Sequence, residues 1–172
     1  MSLNRNPDGA DAADSYPPGK TPPKTTRGPT PQYLCTMNLA LGGEVGPIPL
    51  IAGSQRIIEI ITNGTITGPG FNGKIEGGFA APIRMPLPAN AAAGTPTTQS
   101  PIAYVYGHAA DGSPFYIEQS GVGTSAVQNA RLEIQVGGKY EKLQRAYVIA
   151  QPTINAQRNA VSLMCWTLPL PN

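Results

Sequence analysis

Charge is what this chain has least of. Asp, Glu, Lys and Arg together make up 13% of its 172 residues, against a usual share of about a quarter. The net charge is +2 and Lys and Arg do not cluster, so no nucleic-acid partner is expected, because that needs several phosphate-neutralising side chains on one surface. Histidine occurs once, at His108, and cysteine twice, at Cys35 and Cys165. Three such residues, far apart, make no four-ligand metal site unaided. Two cysteines are also too few for a disulfide scaffold, and buried thiols are expected. No run of about 18 apolar residues occurs, which excludes a spanning helix, and the opening MSLNRNPDGADAADSYPPGK has no apolar segment of a secretory signal. Cytoplasmic location and no membrane partner are the expectations. A Gly-x-Ser-x-Gly elbow is missing, and GPGFNGKIEGG lacks both the phosphate-loop pattern and a following helix. No cofactor is expected.

Glycine and proline, by contrast, are plentiful, at 20 and 19 residues. Together they disfavour long helices and point to a loop-rich, all-β chain. Residues 1–31 contain Asp8, Asp11 and Asp14, then PPGK, TPPK and RGPTP, with almost no large apolar side chain. Such a segment cannot offset its ordering entropy by burial. It reads as a disordered arm, or as an extended one lying on a partner subunit.

The domain is expected over 32–172. In YLCTMNLAL, Tyr33, Cys35, Met37, Leu39 and Leu41 share one parity, the pattern of a strand with one apolar face. Residues 42–53 read as a Gly/Pro-punctuated loop. RIIEIIT (56–62) is a strand apolar on both faces, and Asn63-Gly64 after it reads as a two-residue hairpin turn. The same reading is preferred to glycosylation for the Asn63-Gly64-Thr65 triplet. FNGKIEGGF follows, its glycines marking bends or close backbone approach. Residues 80–100 are a long loop. Strands are expected in PIAYVYGH, PFYIEQSG, ARLEIQV, KLQRAYVIAQ and AVSLMCWTL, with turns at Asp111-Gly112 and Gly137-Gly138 and a loop or short helix at GVGTSAVQNA. The fold class expected is all-β, a single antiparallel β-barrel of about eight to ten strands, since closure removes the exposed edges that a sandwich would leave.

A barrel that keeps a cavity needs a few polar groups among apolar ones. Tyr104, Tyr106 and His108 share a face of one strand, and Tyr116 and Glu118 share a face of the next. If the two faces coincide, a Tyr/His/Glu cluster forms. Tyr104 and Tyr116 could then donate hydrogen bonds to a carbonyl, with His108 or Glu118 as acid/base. The same row could instead be a packing ladder. Arg56, Glu59, Arg131, Tyr147 and Trp166 complete the set of candidate ligand-binding residues, with Arg56 as an anchor for an anionic or carbonyl-bearing ligand.

Three stretches resemble one family. GEVGPIPLIAGSQRIIEIITNGTITGPGFNGKIEGG (43–78), DGSPFYIEQSGV (111–122) and KYEKLQRAYVIAQ (139–151) are similar to the family called domain of unknown function 3237, small barrel-like proteins of bacteria and of fungal secondary-metabolite clusters. The family often carries a basic residue where Arg56 stands. It typically follows the double glycine with a small residue and then Asp-Trp, whereas this chain has Phe79-Ala80-Ala81; its Tyr-x-x-Leu-Asn becomes Tyr140 to Gln144. The resemblance, with the missing cofactor motifs, implies a cofactor-independent isomerase, cyclase or lyase acting on a small apolar metabolite derived from a polyketide, terpenoid or aromatic precursor. A non-catalytic carrier and a structural or oligomerisation module are the alternatives. A charged residue buried beside a tyrosine in the cavity favours the enzyme, and an all-apolar cavity the carrier. A homodimer is expected, with the arm and the 80–100 loop as contacts.

Overall fold

The structure, a computed structural model, describes residues 29–124 and 127–169. The arm expected over 1–31 lies outside it except for its last three residues. Ten strands follow in order: β1 (Gln32–Pro49), β2 (Gln55–Thr67), β3 (Gly73–Ala80), β4 (Ile83–Arg84), β5 (Thr98–Ser100), β6 (Ile102–Ala109), β7 (Pro114–Thr124), β8 (Gln128–Val136), β9 (Tyr147–Ile154) and β10 (Ala160–Leu168). A 3-10 helix spans Gly138–Arg145 and a single turn of one spans Ile51–Gly53.

The strands close into one eight-stave antiparallel barrel, in which β1 pairs with β10 and β2, β2 with β3, β3 with β6, β6 with β7, and β7 through β8 and β9 back to β10. The two shortest strands extend staves already counted. β4 continues β3 along β2, and β5 precedes β6 along β7; β4 and β5 also pair with each other. The breaks fall at Pro82 and Pro101, where no backbone N–H is available to the ladder.

Alternate residues fill the interior. Met37, Ile61, Ile75, Ile117, Leu132, Val148 and Leu163 are among those buried there. An eight-stranded barrel is just wide enough for side chains to fill it or for one small ligand. The stave β6 accordingly turns its small residues, Ala103, Val105, Gly107 and Ala109, inward. One end is plugged. Phe71 meets Phe115 edge-on at 5.6 Å and Tyr140 at 5.0 Å, and the Gly138–Arg145 helix buries Tyr140 and Leu143 against that end. The other end, where β4 and β5 flare from the ring, holds the site described below.

Several local expectations are corrected. Asn63-Gly64 makes no hairpin: β2 runs straight through it, pairing with β1 on one side and β3 on the other. Gly64 is absent from the positive-φ residues that a type I′ turn demands. A side chain on it would strike the Asn38 carbonyl of β1, so its glycine serves close strand approach. The chain reverses instead at Gly68–Asn72, where the Asn72 side chain accepts from Gly68 N (3.1 Å) and donates to Gly68 O (2.6 Å). Residues 42–49 are strand rather than loop, paired to β2 through successive register shifts. Residues 138–145 are helix rather than turn and strand start. Most of GVGTSAVQNA belongs to β7 and β8. Cys35 and Cys165 are buried free thiols and cross-strand neighbours.

Candidate functional site

The register of β6 and β7 sets Tyr104 opposite Glu118 and Tyr106 opposite Tyr116. The two faces do coincide, as the pattern required, but the face is the outer one. Tyr104 stacks with Tyr116 at 6.3 Å between ring centroids and tilts against Phe79 at 5.1 Å. Tyr106 lies across Gly77, where an added Cβ would sit 2.6 Å from its hydroxyl oxygen. These rings and Gly78 line a shallow surface depression. His108 Nδ1 is 2.9 Å from Glu76 Oε1, both side chains about half exposed to solvent. Desolvation raises the Tyr116 phenol above its ordinary range, and the neighbouring Glu118 and Tyr104 add to it. So Tyr104, His108, Tyr116, Glu118 and Tyr106 stand together, outside the barrel. The physical reason is volume: the interior of β6 accepts Ala, Val and Gly, and its aromatic face has to go out.

The other candidates separate. Arg56 shares the outer face of β2 with Ile58 and Ile60 and is half-buried. Arg131 sits 5.1 Å from the Tyr147 ring centroid and 3.2 Å from Glu133, also outside. Trp166 alternates with buried Cys165 and is half-buried on the outer surface. Of the ten, Glu59 alone faces in. It shares the parity of the buried Ile57 and Ile61.

Glu59 belongs to a cavity at the open end of the barrel. Leu39, Leu41, Ile61, Ala103, Ile154 and Leu163 supply much of its apolar wall. Atom-free space there is about 550 Å³ with the mouth included, of which the centre of a water molecule can reach about 50 Å³. The cavity is therefore narrow, and a ligand larger than a few waters has to part its walls. Its polar groups are few: Glu59, Arg158, Gln99, Gln119 and Gln128. The Glu59 side chain is 12% exposed and accepts a 3.1 Å hydrogen bond from Arg158 Nη2; the Arg158 side chain is 44% exposed. No tyrosine lines the cavity.

Local structure explains how Arg158 arrives there. It sits in the β9–β10 connection with φ +55, a left-handed value that is uncommon outside glycine. The Asn155 side chain organises that turn, accepting from Asn159 N at 3.0 Å and Ala160 N at 3.2 Å, while Arg158 N donates to Asn155 O. Asn159 O in turn accepts from Leu41 N of β1. The turn is thereby tied to the barrel wall, and the guanidinium is delivered over the mouth. Gln128 donates to Thr124 O. Gln99, on β5, is 5% exposed and makes no side-chain hydrogen bond among the described residues.

The sequence reading missed Arg158, Gln99, Gln119 and Gln128. Gln119 was within reach, since it continues the parity of Phe115 and Ile117 along β7. The others carry no periodic signal. Gln99 lies in a three-residue strand and Arg158 in a turn. Ala80, where the resembling family has an acid, also lines the cavity and is the direct cross-strand neighbour of Glu59.

Comparison with known proteins bears on the fold. No family model and no curated protein matches the chain. Solved structures do. A conserved protein of unknown function from Rhodopseudomonas palustris superposes with a TM-score of 0.66 at 16% identity, over 84% of this chain and 100% of that one. A beta-barrel like protein from Acinetobacter baumannii gives 0.64 at 16%, over 87% and 99%. An enzyme from Penicillium herquei gives 0.62 at 19%, over 88% and 99%. The chain thus has the fold of a set of small β-barrel proteins, one of them an enzyme.

Proposed function

We propose that this protein is a cofactor-independent isomerase, cyclase or lyase of a small, largely apolar carbonyl metabolite, with Glu59 as the proton-transfer group. The observation that carries the reading is the placement of Glu59. A carboxylate only 12% exposed stands in a mostly apolar cavity with one cation, Arg158, bonded to it. A carrier of hydrophobic molecules gains nothing from a desolvated charge, which costs stability unless paired. A proton-transfer enzyme needs one within reach of the substrate. Gln119 takes the part that the tyrosines had in the sequence reading, as a neutral donor to a carbonyl whose oxygen gains charge as the α-proton leaves. The similar Penicillium herquei barrel is an enzyme, which supports the capacity of such a barrel for catalysis and no particular reaction. The resemblance to domain of unknown function 3237 points the same way.

The test is proton exchange. A panel of aryl ketones and β-diketones is incubated with the protein in D₂O and followed by NMR and mass spectrometry. Catalysed deuterium incorporation or isomerisation is expected, falling about 10²–10⁴-fold in Glu59→Gln, the range of a lost general base. Exchange that survives that substitution removes Glu59 from the role. Binding of the ketones without exchange in the unaltered protein favours the carrier.

A further inference from the structure

We propose that Arg84 and Gln99 form an acid-binding subsite at the edge of this cavity, so that its ligand is a monocarboxylate. The inference rests on the cavity being a ligand site and adds the chemical class of the ligand. In the β4–β5 ribbon Arg84 pairs directly with Gln99, and directly opposed residues of an antiparallel pair project on one face. Gln99 lines the cavity; Arg84, half-buried and just outside that lining, projects on the same side of the ribbon. Arg56, the anchor the sequence suggested, pairs with Ile83 one position away and takes the opposite face.

Arg84 Nε is a buried donor without a hydrogen bond, and among the described residues Arg84 makes no ion pair. Gln99 beside it is 5% exposed. A buried guanidinium donor left unpaired is costly, and a bound acceptor removes that cost. The local charge balance says what kind. Glu59 and Arg158 neutralise each other. Glu44, the direct β1 partner of Glu59, is exposed to solvent, and among the described residues no carboxylate pairs with Arg84. One uncompensated guanidinium with an adjacent carboxamide suits a planar monoanion, which a guanidinium grips with two parallel N–H donors. A phosphate dianion carries a second charge that the single Arg84 guanidinium does not match. The carboxylate then lies at β4–β5 and the apolar body runs inward past Ala103 toward Glu59.

Calorimetric titration with phenylbutanoate and with its neutral amide, phenylbutanamide, tests this. The unaltered protein is expected to bind the acid about tenfold more tightly than the amide. Arg84→Gln should abolish that preference while leaving amide binding in place, and Arg84→Lys should keep part of it. Equal affinity for the two probes, a preference that persists in Arg84→Gln, or failure of the acid to bind at millimolar concentration each overturns the subsite. Glu59→Gln separates the two readings, because it should retain the acid preference. A protein that prefers the acid yet exchanges no protons loses its proposed reaction only; one that exchanges protons without preferring the acid loses this subsite only.

Discussion

The Glu59–Arg158 pair can be dissected by a double-mutant cycle. At 3.1 Å and an effective dielectric of about 20, the gross attraction is about 5 kcal/mol. Little of that is net. The Arg158 side chain is 44% exposed, so water and salt screen it, and fixing a long side chain costs entropy. A coupling of about 1–2 kcal/mol should remain, above the surface median because Glu59 is nearly buried. Arg158→Ala strands that carboxylate without its donor and should destabilise by about 1–3 kcal/mol. Glu59→Gln removes the charge that needs compensation and should cost less than about 1 kcal/mol. The double variant should then sit close to Glu59→Gln alone. Urea unfolding at low and high salt measures all four proteins, and the coupling should shrink at high salt. Additivity within about 0.3 kcal/mol at low salt would mean that the two charges do not sense each other, and the electrostatic account of the cavity would fail with it.

Other substitutions probe the frame around the site. Phe71→Ala removes the ring between Phe115 and Tyr140 at the plugged end and should cost about 3–5 kcal/mol in chemical unfolding, with acid-probe affinity at the far end retained if the barrel still closes. Ala80→Asp sets a second carboxylate opposite Glu59, about 5 Å away. The variant should lose about 1–3 kcal/mol at neutral pH and recover it as the pH falls, because one carboxyl of the pair must then hold a proton in the folded state; a thermal-unfolding profile that does not recover in acid counts against that placement. Asp111 accepts from Ser113 N and Lys139 N, which holds its carboxyl below the ordinary 3.8. Its contribution to stability should therefore be present above that value and be lost as the pH drops toward the depressed folded value, and Asp111→Asn should flatten that part of the pH–stability curve. Hydrogen bonding to Cys35 and burial push the Cys165 thiol far up, so neither cysteine should react with a maleimide until the protein unfolds; fast labelling of the native protein is the contrary result.

The barrel was legible because alternation survives in almost every stave. Leu132, Ile134 and Val136 against Arg131, Glu133 and Gln135 leave one answer for which face is buried. The stave β6 leaves two. Ile102, Tyr104 and Tyr106 look at least as much like a core face as Ala103, Val105 and Gly107 do, and hydrophobicity alone favours the tyrosines. Curvature decides otherwise. The wall is narrow there, and the opposing stave β3 approaches so closely that a side chain on Gly107 would strike the Lys74 carbonyl. No local property of the sequence reports that distance. Asn63-Gly64 misled for a related reason: turn propensity is a short-range preference, and β2 is held straight by partners on both sides, contributed by β1 and β3. Arg56, the position the resemblance singled out, and Arg84 of the proposed subsite lie on adjoining strands with opposite orientation.

The distribution of polar groups along the barrel supports the proposed site. The plugged end is satisfied: Asn72 closes the Gly68 turn, Gln144 donates to Val136 O, and Asp111 takes two backbone donors. At the open end the balance reverses. Arg84 Nε is buried without a partner, and Glu59 depends on Arg158, a turn residue in a left-handed conformation. A fold that can satisfy its polar groups at one end shows no general inability to do so. Its unsatisfied donor therefore costs stability at a location with a reason of its own, as binding surfaces characteristically do. The outer tyrosine cluster presents no comparable imbalance. Its rings pack on one another and on glycine, and His108 already has Glu76. A buried donor without a partner, more than the presence of reactive residue types, separates the cavity edge from the aromatic face.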